Sequence, residues 1–377
     1  MGSTFPTSLA AAPARTSSSR LDFIDHLRVF LTLLVVAHHA GQAYGPTGGS
    51  WPLFHAVKAK VLGPFFHVNA SFFMGLFFLI SGYFVPAAYE RKGVRSFLME
   101  RFRRLGIPVL IFGLLFVPLI RLCQESGKGQ SPGAVWWDTF VHFPWAHLWF
   151  LGHLMVYGVM YAVLRWVWKR PNAPADERPF PGSVAILGYV VLLTAVSALV
   201  RLKYPIDRWV NIGVPAELAH LPQYASLFWL GVLAWRHRWL ERIPVSTGRL
   251  WLVVGVAAVV ARFWYWTVRA QFLRGSYGGD LIWIYWESLL CAGLCIGLLY
   301  WFHRHLNRTT RFAAFCARNA YGVYLVHLPV VVTIQVMLEK TSLGPLTLTV
   351  IATLLGAILS YALTALLRCV PGANKVL

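Results

Sequence analysis

Long apolar segments separated by short polar ones run along most of the chain, from residue 27 to residue 368. Each is longer than a tilted transmembrane strand and close to the ~20 residues that a helix needs to cross a bilayer. Hydrocarbon offers no water to backbone N–H and C=O groups, so such segments must form helices. The pattern predicts an all-α, polytopic membrane protein with about ten transmembrane helices. These are expected near 27–44, 65–87, 106–122, 146–167, 184–202, 222–239, 249–268, 281–301, 319–339 and 345–368.

Composition and charge agree with this interpretation. Hydrophobic residues make up 57% of the chain and charged residues 13%, whereas a soluble protein is about one quarter charged. The net charge of +20 would suit nucleic acid, but the basic residues stand between apolar segments, where they orient helices. If the N-terminus is cytoplasmic, inner segments and adjoining helix ends hold 21 of the 34 Lys and Arg residues and outer loops hold eight. We therefore expect both termini in the cytoplasm, membrane lipids as partners, and no nucleic acid.

Three regions follow from the composition. Residues 1–20 are rich in Ser, Thr and Ala, which predicts a disordered tail. Residues 21–368 form the membrane domain, and residues 369–377 form a short cytoplasmic tail. The five Cys residues fall within predicted spans or at their ends, which predicts no disulfide framework.

The first predicted helix carries two ionisable residues on one face. Arg28 and His39 are eleven positions apart, which brings them within ~20° of each other and separates them by about 16 Å along the axis. In one interpretation Arg28 reaches the cytoplasmic headgroups and His39 hydrogen-bonds a neighbouring helix. In the other, His39 is a general base, because neutral imidazole accepts a proton near pH 7, and Arg28 holds an anionic substrate group.

Five segments along the chain carry a recognisable pattern: LDFIDHLRVFLTLLVVAHHA at 21–40, FFLISGYFV at 77–85, RFRRLGIPVL at 101–110, HLWFL at 147–151 and YGVYLVHLPVVV at 321–332. In this order they resemble the type-3 membrane acyltransferase family, which includes O-antigen acetylases and periplasmic glucan succinyltransferases. The first segment has the family's Arg-x10-His spacing, with Asp25 just upstream. The fourth lacks the paired Glu of many O-antigen acetylases.

The resemblance implies an activity and a place for each substrate. It implies an O-acyltransferase of the bacterial inner membrane that moves an acetyl or similar acyl group from cytoplasmic acyl-CoA to a hydroxyl. The catalytic residues would be His39 and Arg28, and Arg101 and Arg104 would bind the donor, acetyl-CoA or succinyl-CoA. The acceptor would be an envelope carbohydrate or a lipid-linked glycan. No permanently bound cofactor is implied, and an acyl-histidine intermediate would use the same residues.

Further polar or aromatic candidates lie within the matching segments or predicted spans. Glu287 has a structural alternative, because Arg262 is expected at a similar depth on the preceding antiparallel helix and would neutralise it. His147 and His153 fall about 120° apart around one helix, so no metal site is expected. The further candidates are Asp25, His38, Ser81, His147, Trp149, Glu287 and His327.

Two other classes of membrane protein remain open. A transporter or exporter would also carry buried Arg, His and Glu, although such proteins commonly contain internal repeats and none is visible here. A different class of membrane O-acyltransferase would have its own buried His. Net acyl transfer distinguishes an enzyme from a transporter, and a base in the first helix distinguishes the two enzyme classes.

Overall fold

The computed structural model describes most of the chain. The described residues are 21–46, 51–116, 118, 121–122, 131–141, 145–168, 178–269 and 277–377. The tail predicted at 1–20 lies outside these residues, as does Cys123.

Eleven α-helices occur among the described residues. Two π-helical turns, Phe102–Gly106 and Phe112–Phe116, flank the short third helix. The helices are α1 (Asp22–Gln42), α2 (Leu62–Arg101), α3 (Ile107–Ile111), α4 (Pro132–Val141), α5 (Trp149–Trp168), α6 (Ser183–Arg201), α7 (Leu221–His237), α8 (Val245–Arg269), α9 (Tyr277–His305), α10 (Arg311–Leu338) and α11 (Pro345–Leu367).

The helices confirm a multi-span membrane protein. Within the described residues, eight helical segments are long and apolar enough to cross a bilayer. The predicted span 65–87 and the first part of the predicted span 106–122 both fall in one of them, Leu62–Phe116, and α7 has only 17 residues. The count of about ten spans and the side of each terminus therefore stay predictions.

Helix α1 packs against α10 and α11 and lies in the core. Its residues Leu27, Leu31 and Val35 are spaced by four, so they share one face, and each is at least 97% buried. At the far end of the helix, the side-chain amide of Gln335 on α10 donates a hydrogen bond of 2.9 Å to the carbonyl of Ala40. The position of His39, next to Ala40, is thereby fixed against α10.

Helices α2 and α7 cross at two glycines. A Cβ atom on Gly82 would lie 2.0 Å from the carbonyl oxygen of Phe228, and one on Gly231 would lie 2.1 Å from that of Leu79. Only glycine allows the two backbones to come this close, as at small-residue crossings between membrane helices. The crossing sets the position of α7 and of the segment that precedes it.

Helix α2 is interrupted at Gly93, whose φ of 72° lies in the left-handed region. Glycine adopts this conformation without steric cost. Beyond the break the helix changes direction, and Glu100 makes an ion pair with Lys92. Arg101, at the end of α2, is thus carried on a separately oriented helical segment.

A hairpin precedes α7 and is the one exception to the all-helical prediction among the described residues. Its strands are β1 (Trp209–Asn211) and β2 (Pro215–Glu217), which pair antiparallel with Trp209 opposite Glu217. The Nε2 atom of His153 on α5 lies 3.1 Å from the carbonyl oxygen of Pro215. This hydrogen bond holds the hairpin against α5.

Candidate active site

A cavity of about 170 Å³ opens between α1, α2, α5, α7, α10 and the segment before α7. Four of its lining residues are histidines: His38 and His39, which are adjacent on α1, His147 and His220. The lining residues are Val35, His38, His39, Ala70, Phe73, Met74, His147, Trp149, Glu217, His220, Tyr224 and Tyr324.

His39 forms a hydrogen-bonded pair with His327 across α1 and α10. The Nδ1 atom of His39 lies 2.7 Å from Nε2 of His327, and Nδ1 of His327 lies 2.6 Å from the carbonyl oxygen of Tyr324. A carbonyl only accepts, so Nδ1 of His327 carries the proton and its Nε2 accepts from Nδ1–H of His39. This arrangement assigns the Nε2 lone pair of neutral His39 as the basic site.

The sequence predicted both that His39 could bond to a neighbouring helix and that it could be a base. The structure confirms the bond to a neighbouring helix, which joins Nδ1 of His39 to His327 on α10. The role of His39 as a base stays a prediction, and the bond to Nδ1 is compatible with it because it does not use Nε2. His327 itself is 0% exposed. It contacts the site through His39, since it is not among the residues that line the cavity.

Trp51 and Gln335 hold His39 from another side, and the sequence analysis missed both. The Trp51 ring is nearly parallel to that of His39, at 14° and 5.5 Å between centroids. The Nε1–H group of Trp51 donates a hydrogen bond of 2.9 Å to Oε1 of Gln335. The side-chain NH2 group of Gln335 in turn donates to the carbonyl of Ala40. A Gln within an apolar helix is itself a signal of a buried interaction.

His147 and His38 complete the histidine cluster. The His147 ring lies 5.0 Å from that of His327, with Nε2 3.1 Å from the carbonyl oxygen of Leu325. Tyr324 donates its hydroxyl hydrogen to the carbonyl of His147. The His38 ring is perpendicular to that of His39, with centroids 5.8 Å apart. Both candidates therefore lie at the cavity, as does Trp149.

Ser81 and a second serine lie elsewhere. Ser81 is half-buried on α2 and is not among the described residues that line the cavity. A Gly-x-Ser-x-Gly pattern, which in some hydrolases marks a nucleophile, occurs at 129–133. Its Ser131 accepts a hydrogen bond of 3.2 Å from the backbone N–H of Ala134 and caps α4. This serine is exposed and caps a helix; like Ser81, it is no part of the cavity.

The predicted donor residues form a cationic cluster near the start of α1. Arg28 lies 3.8 Å from Asp25, and Nε of Arg104 lies 3.3 Å from Glu100. The guanidinium of Arg101 lies 5.2 Å from the ring centroid of Phe97. Arg104 is close enough to both Arg28 and Arg101 for their charges to repel. The three arginines thus create a positive region that suits an anionic group.

The structure adds Arg201 to the predicted pairing of Glu287 with Arg262. Arg201, at the end of α6, makes the close ion pair with Glu287, at 2.6 Å and with both side chains 12% exposed, and the charge of Arg262 also acts on Glu287. Arg262 faces α2, where its Nη2 lies 2.5 Å from Nδ1 of His67. Glu287 is not among the described residues that line the histidine cavity. Its ion pair with Arg201 agrees with a structural role, which stays a prediction.

Glu217 and His220 line the cavity from the segment before α7, and the sequence analysis identified neither. Burial raises the pKa of Glu217. Burial, together with the positive charge of Arg201, lowers the pKa of His220 to about 3. The Glu217 Oε1 and His220 Nε2 atoms are 3.9 Å apart. This side of the cavity offers a carboxyl group and a neutral imidazole.

Among the described residues, no group of three or more His, Cys, Asp or Glu side chains is placed to hold a metal ion. His39 bonds to His327, and His147 and His327 each bond to a backbone carbonyl. Their arrangement suits proton transfer.

The segments that form the cavity and the cationic cluster all lie within a region that matches one known protein family. A family described as an acyltransferase domain matches residues 21–366. The chain belongs to this acyltransferase-3 family. Membership confirms the resemblance seen in the five sequence segments and shows a membrane acyltransferase.

Several curated relatives carry the same name. The chain is 28% identical over 331 residues to glucans biosynthesis protein C of Escherichia coli strain SMS-3-5, covering 81% of each chain. The proteins of that name from strains K12 and HS show the same identity and coverage. No solved structure matches the chain significantly.

Proposed function

We propose that this protein transfers an acetyl, succinyl or similar acyl group from cytoplasmic acyl-CoA to a hydroxyl of an envelope carbohydrate, with His39 as general base. The observation that carries the proposal is the hydrogen-bond chain from the Tyr324 carbonyl through His327 to His39. It fixes one tautomer of His39 at a cavity large enough for a small group.

The chemistry at His39 is a proton transfer coupled to acyl transfer. The acceptor hydroxyl oxygen attacks the thioester carbonyl while its proton moves to Nε2 of His39. The C–S bond then breaks, and the proton passes from Nε2 to the departing CoA thiolate. Throughout these steps Nε2 of His327 accepts the hydrogen bond from Nδ1–H of His39. This bond stabilises the His39 imidazolium that forms between the two proton transfers.

The donor is held at the other end of α1. Arg28, Arg101 and Arg104 supply positive charge for the phosphates of CoA, and the planar guanidinium group suits bidentate binding of phosphate. The helical rise between Arg28 and His39 is about 16 Å. The extended arm of CoA carries the thioester across this depth to the cavity.

The acceptor approaches from the opposite side of the membrane. The relatives are named for glucan biosynthesis, which makes a glucan of the cell envelope the first acceptor to test. A lipid-linked glycan presents the same hydroxyl chemistry. This route places the protein in the bacterial inner membrane, with acyl-CoA and glycan reaching one cavity from two compartments.

The test is transfer of label from radioactive acetyl-CoA or succinyl-CoA to a glucan by the purified protein in lipid nanodiscs. We expect His39→Ala to reduce transfer by about 10²–10⁴-fold, the contribution of a positioned base. His26→Gln is the matched control, because His26 lies on the same helix and bonds the Leu306 carbonyl. Binding of acyl-CoA without transfer by the wild type would refute the proposal and favour a transporter.

A further inference from the structure

The hairpin before α7 places an aromatic ring and a carboxyl group on one face. Trp209 and Glu217 are directly opposite each other in the antiparallel register, so their side chains point to the same side. The neighbouring pair, Val210 and Ala216, points to the other side, where Ala216 is 1% exposed. One face of the hairpin therefore packs inward, and the other carries Trp209 and Glu217.

Glu217 is held in place by the chain around it. The backbone N–H of Asp207 donates a hydrogen bond of 2.7 Å to its Oε1 atom. Asp207 has a φ of 67°, a left-handed conformation that Asp tolerates better than most residues. Glu217 also lines the cavity shared with His39. A positioned carboxyl group thus faces the same space as the base.

Aromatic rings continue from the cavity to its outer edge. Trp149 lines the cavity and stacks on Tyr224, with centroids 5.6 Å apart and planes at 27°. On its other side Trp149 contacts Trp209, at 5.6 Å between centroids. Trp209 is 47% exposed, so part of its ring is open to a ligand. These rings form a continuous apolar wall beside Glu217.

We propose that Trp209, Trp149 and Glu217 form the binding subsite for the carbohydrate acceptor. The apolar face of a sugar ring stacks on the tryptophans, and sugar hydroxyls donate hydrogen bonds to the Glu217 carboxyl group. The cavity volume of about 170 Å³ is smaller than the ~300 Å³ at which pockets for drug-sized ligands begin. One sugar unit therefore enters, and the rest of the glycan lies along the exposed face of Trp209.

This assignment rests on the proposed function and deepens it, because it names the part of the site that selects the acceptor. It also explains why the hairpin is fastened to the bundle. The His153 bond to the Pro215 carbonyl and the packing of Val214 against Gly152, whose added Cβ would lie 2.7 Å from Val214, fix the hairpin relative to α5. Glu217 and Trp149 keep their relative positions as a result.

The experiment measures binding and turnover of a linear gluco-oligosaccharide with full-length protein in nanodiscs. Saturation-transfer NMR reports binding directly, including to His39→Ala, and kinetics report the KM for each substrate. We expect Glu217→Gln and Trp209→Ala each to raise the acceptor dissociation constant and KM about tenfold, the effect of one lost charge-assisted bond or stacked ring. The KM for acyl-CoA serves as the internal reference and changes much less.

Matched variants separate binding from folding. Trp166→Ala, the control for Trp209→Ala, removes a tryptophan that is 69% exposed on α5. Glu339→Gln, the control for Glu217→Gln, removes an exposed carboxylate. Both control variants are expected to bind the oligosaccharide like the wild type. Trp209→Tyr keeps an aromatic face and is expected to restore most of the affinity. Oligosaccharide binding by wild type that Glu217→Gln and Trp209→Ala leave unchanged overturns the subsite, as does absence of binding by wild type.

The outcomes for the two proposals are distinguishable. A wild-type protein that binds the oligosaccharide through Trp209 and Glu217 but transfers no label refutes the acyltransfer chemistry and supports the subsite. Transfer that depends on His39 but not on the hairpin residues supports the chemistry and overturns the subsite.

Discussion

Removal of His327 tests whether the histidine pair acts as one catalytic unit. In His327→Ala the Nδ1–H of His39 loses its acceptor at 2.7 Å in a place where His327 is 0% exposed. An unsatisfied buried polar group costs about 1–3 kcal/mol. If that cost falls on the productive tautomer and orientation of His39, kcat falls about 5- to 150-fold.

The assay compares kcat and both KM values for His327→Ala, His327→Gln and the control His26→Gln, after matching their thermal stability. The Gln side chain offers an amide oxygen that can accept from Nδ1–H, so His327→Gln is expected to recover part of the lost rate. The KM for acyl-CoA is expected to stay near the wild-type value, because the proposed function places the donor phosphates at the other end of α1. A His327→Ala enzyme with the kcat of His26→Gln would refute the tautomer reasoning.

Two further predictions concern the donor and the pH dependence of stability. Arg101→Ala is expected to raise the KM for acyl-CoA about tenfold through loss of a charge-assisted phosphate contact. Arg103→Ala makes the same charge change on an exposed neighbour and is expected to leave this KM unchanged. Equal effects of the two variants would assign the change to overall charge. Burial raises the pKa of Glu217, so its carboxylate destabilises the fold above that pKa, and the penalty disappears as pH falls below the ordinary value near 4.3. Glu217→Gln should therefore unfold at a higher temperature than wild type at pH 8 and at nearly the same temperature at pH 4, and a stability difference independent of pH would contradict this.

The first helix was predictable because its chemistry is local. Helical periodicity alone places Arg28 and His39 on one face, and the apolar positions Leu27, Leu31 and Val35 indicate which face packs inward. The contact with His327 was not predictable from local pattern, since it joins positions 288 residues apart. Both residues were candidates, but only tertiary packing brings them together.

The errors and omissions have physical causes. Depth along the helices indicated that the charge of Arg262 acts on Glu287, but it could not show that Arg262 also contacts His67 on α2 or that Arg201 reaches Glu287 from α6. The hairpin has strands of three residues each, too short for alternation of polar and apolar positions to be detected. Glu217 was missed with it, because a Glu in a polar loop between spans resembles any solvated residue.

The single helix α1 has a consequence for how the reaction is powered. It carries Arg28 at one level and His39 about 16 Å further along the axis, so on the proposed function the energy-rich bond crosses much of the membrane while the nucleotide part of CoA stays where it bound. On the same proposal, spent CoA is released on the side of the membrane where it bound. The length of one rigid helix would then set the distance between the group that holds the nucleotide and the group that uses its acyl chain.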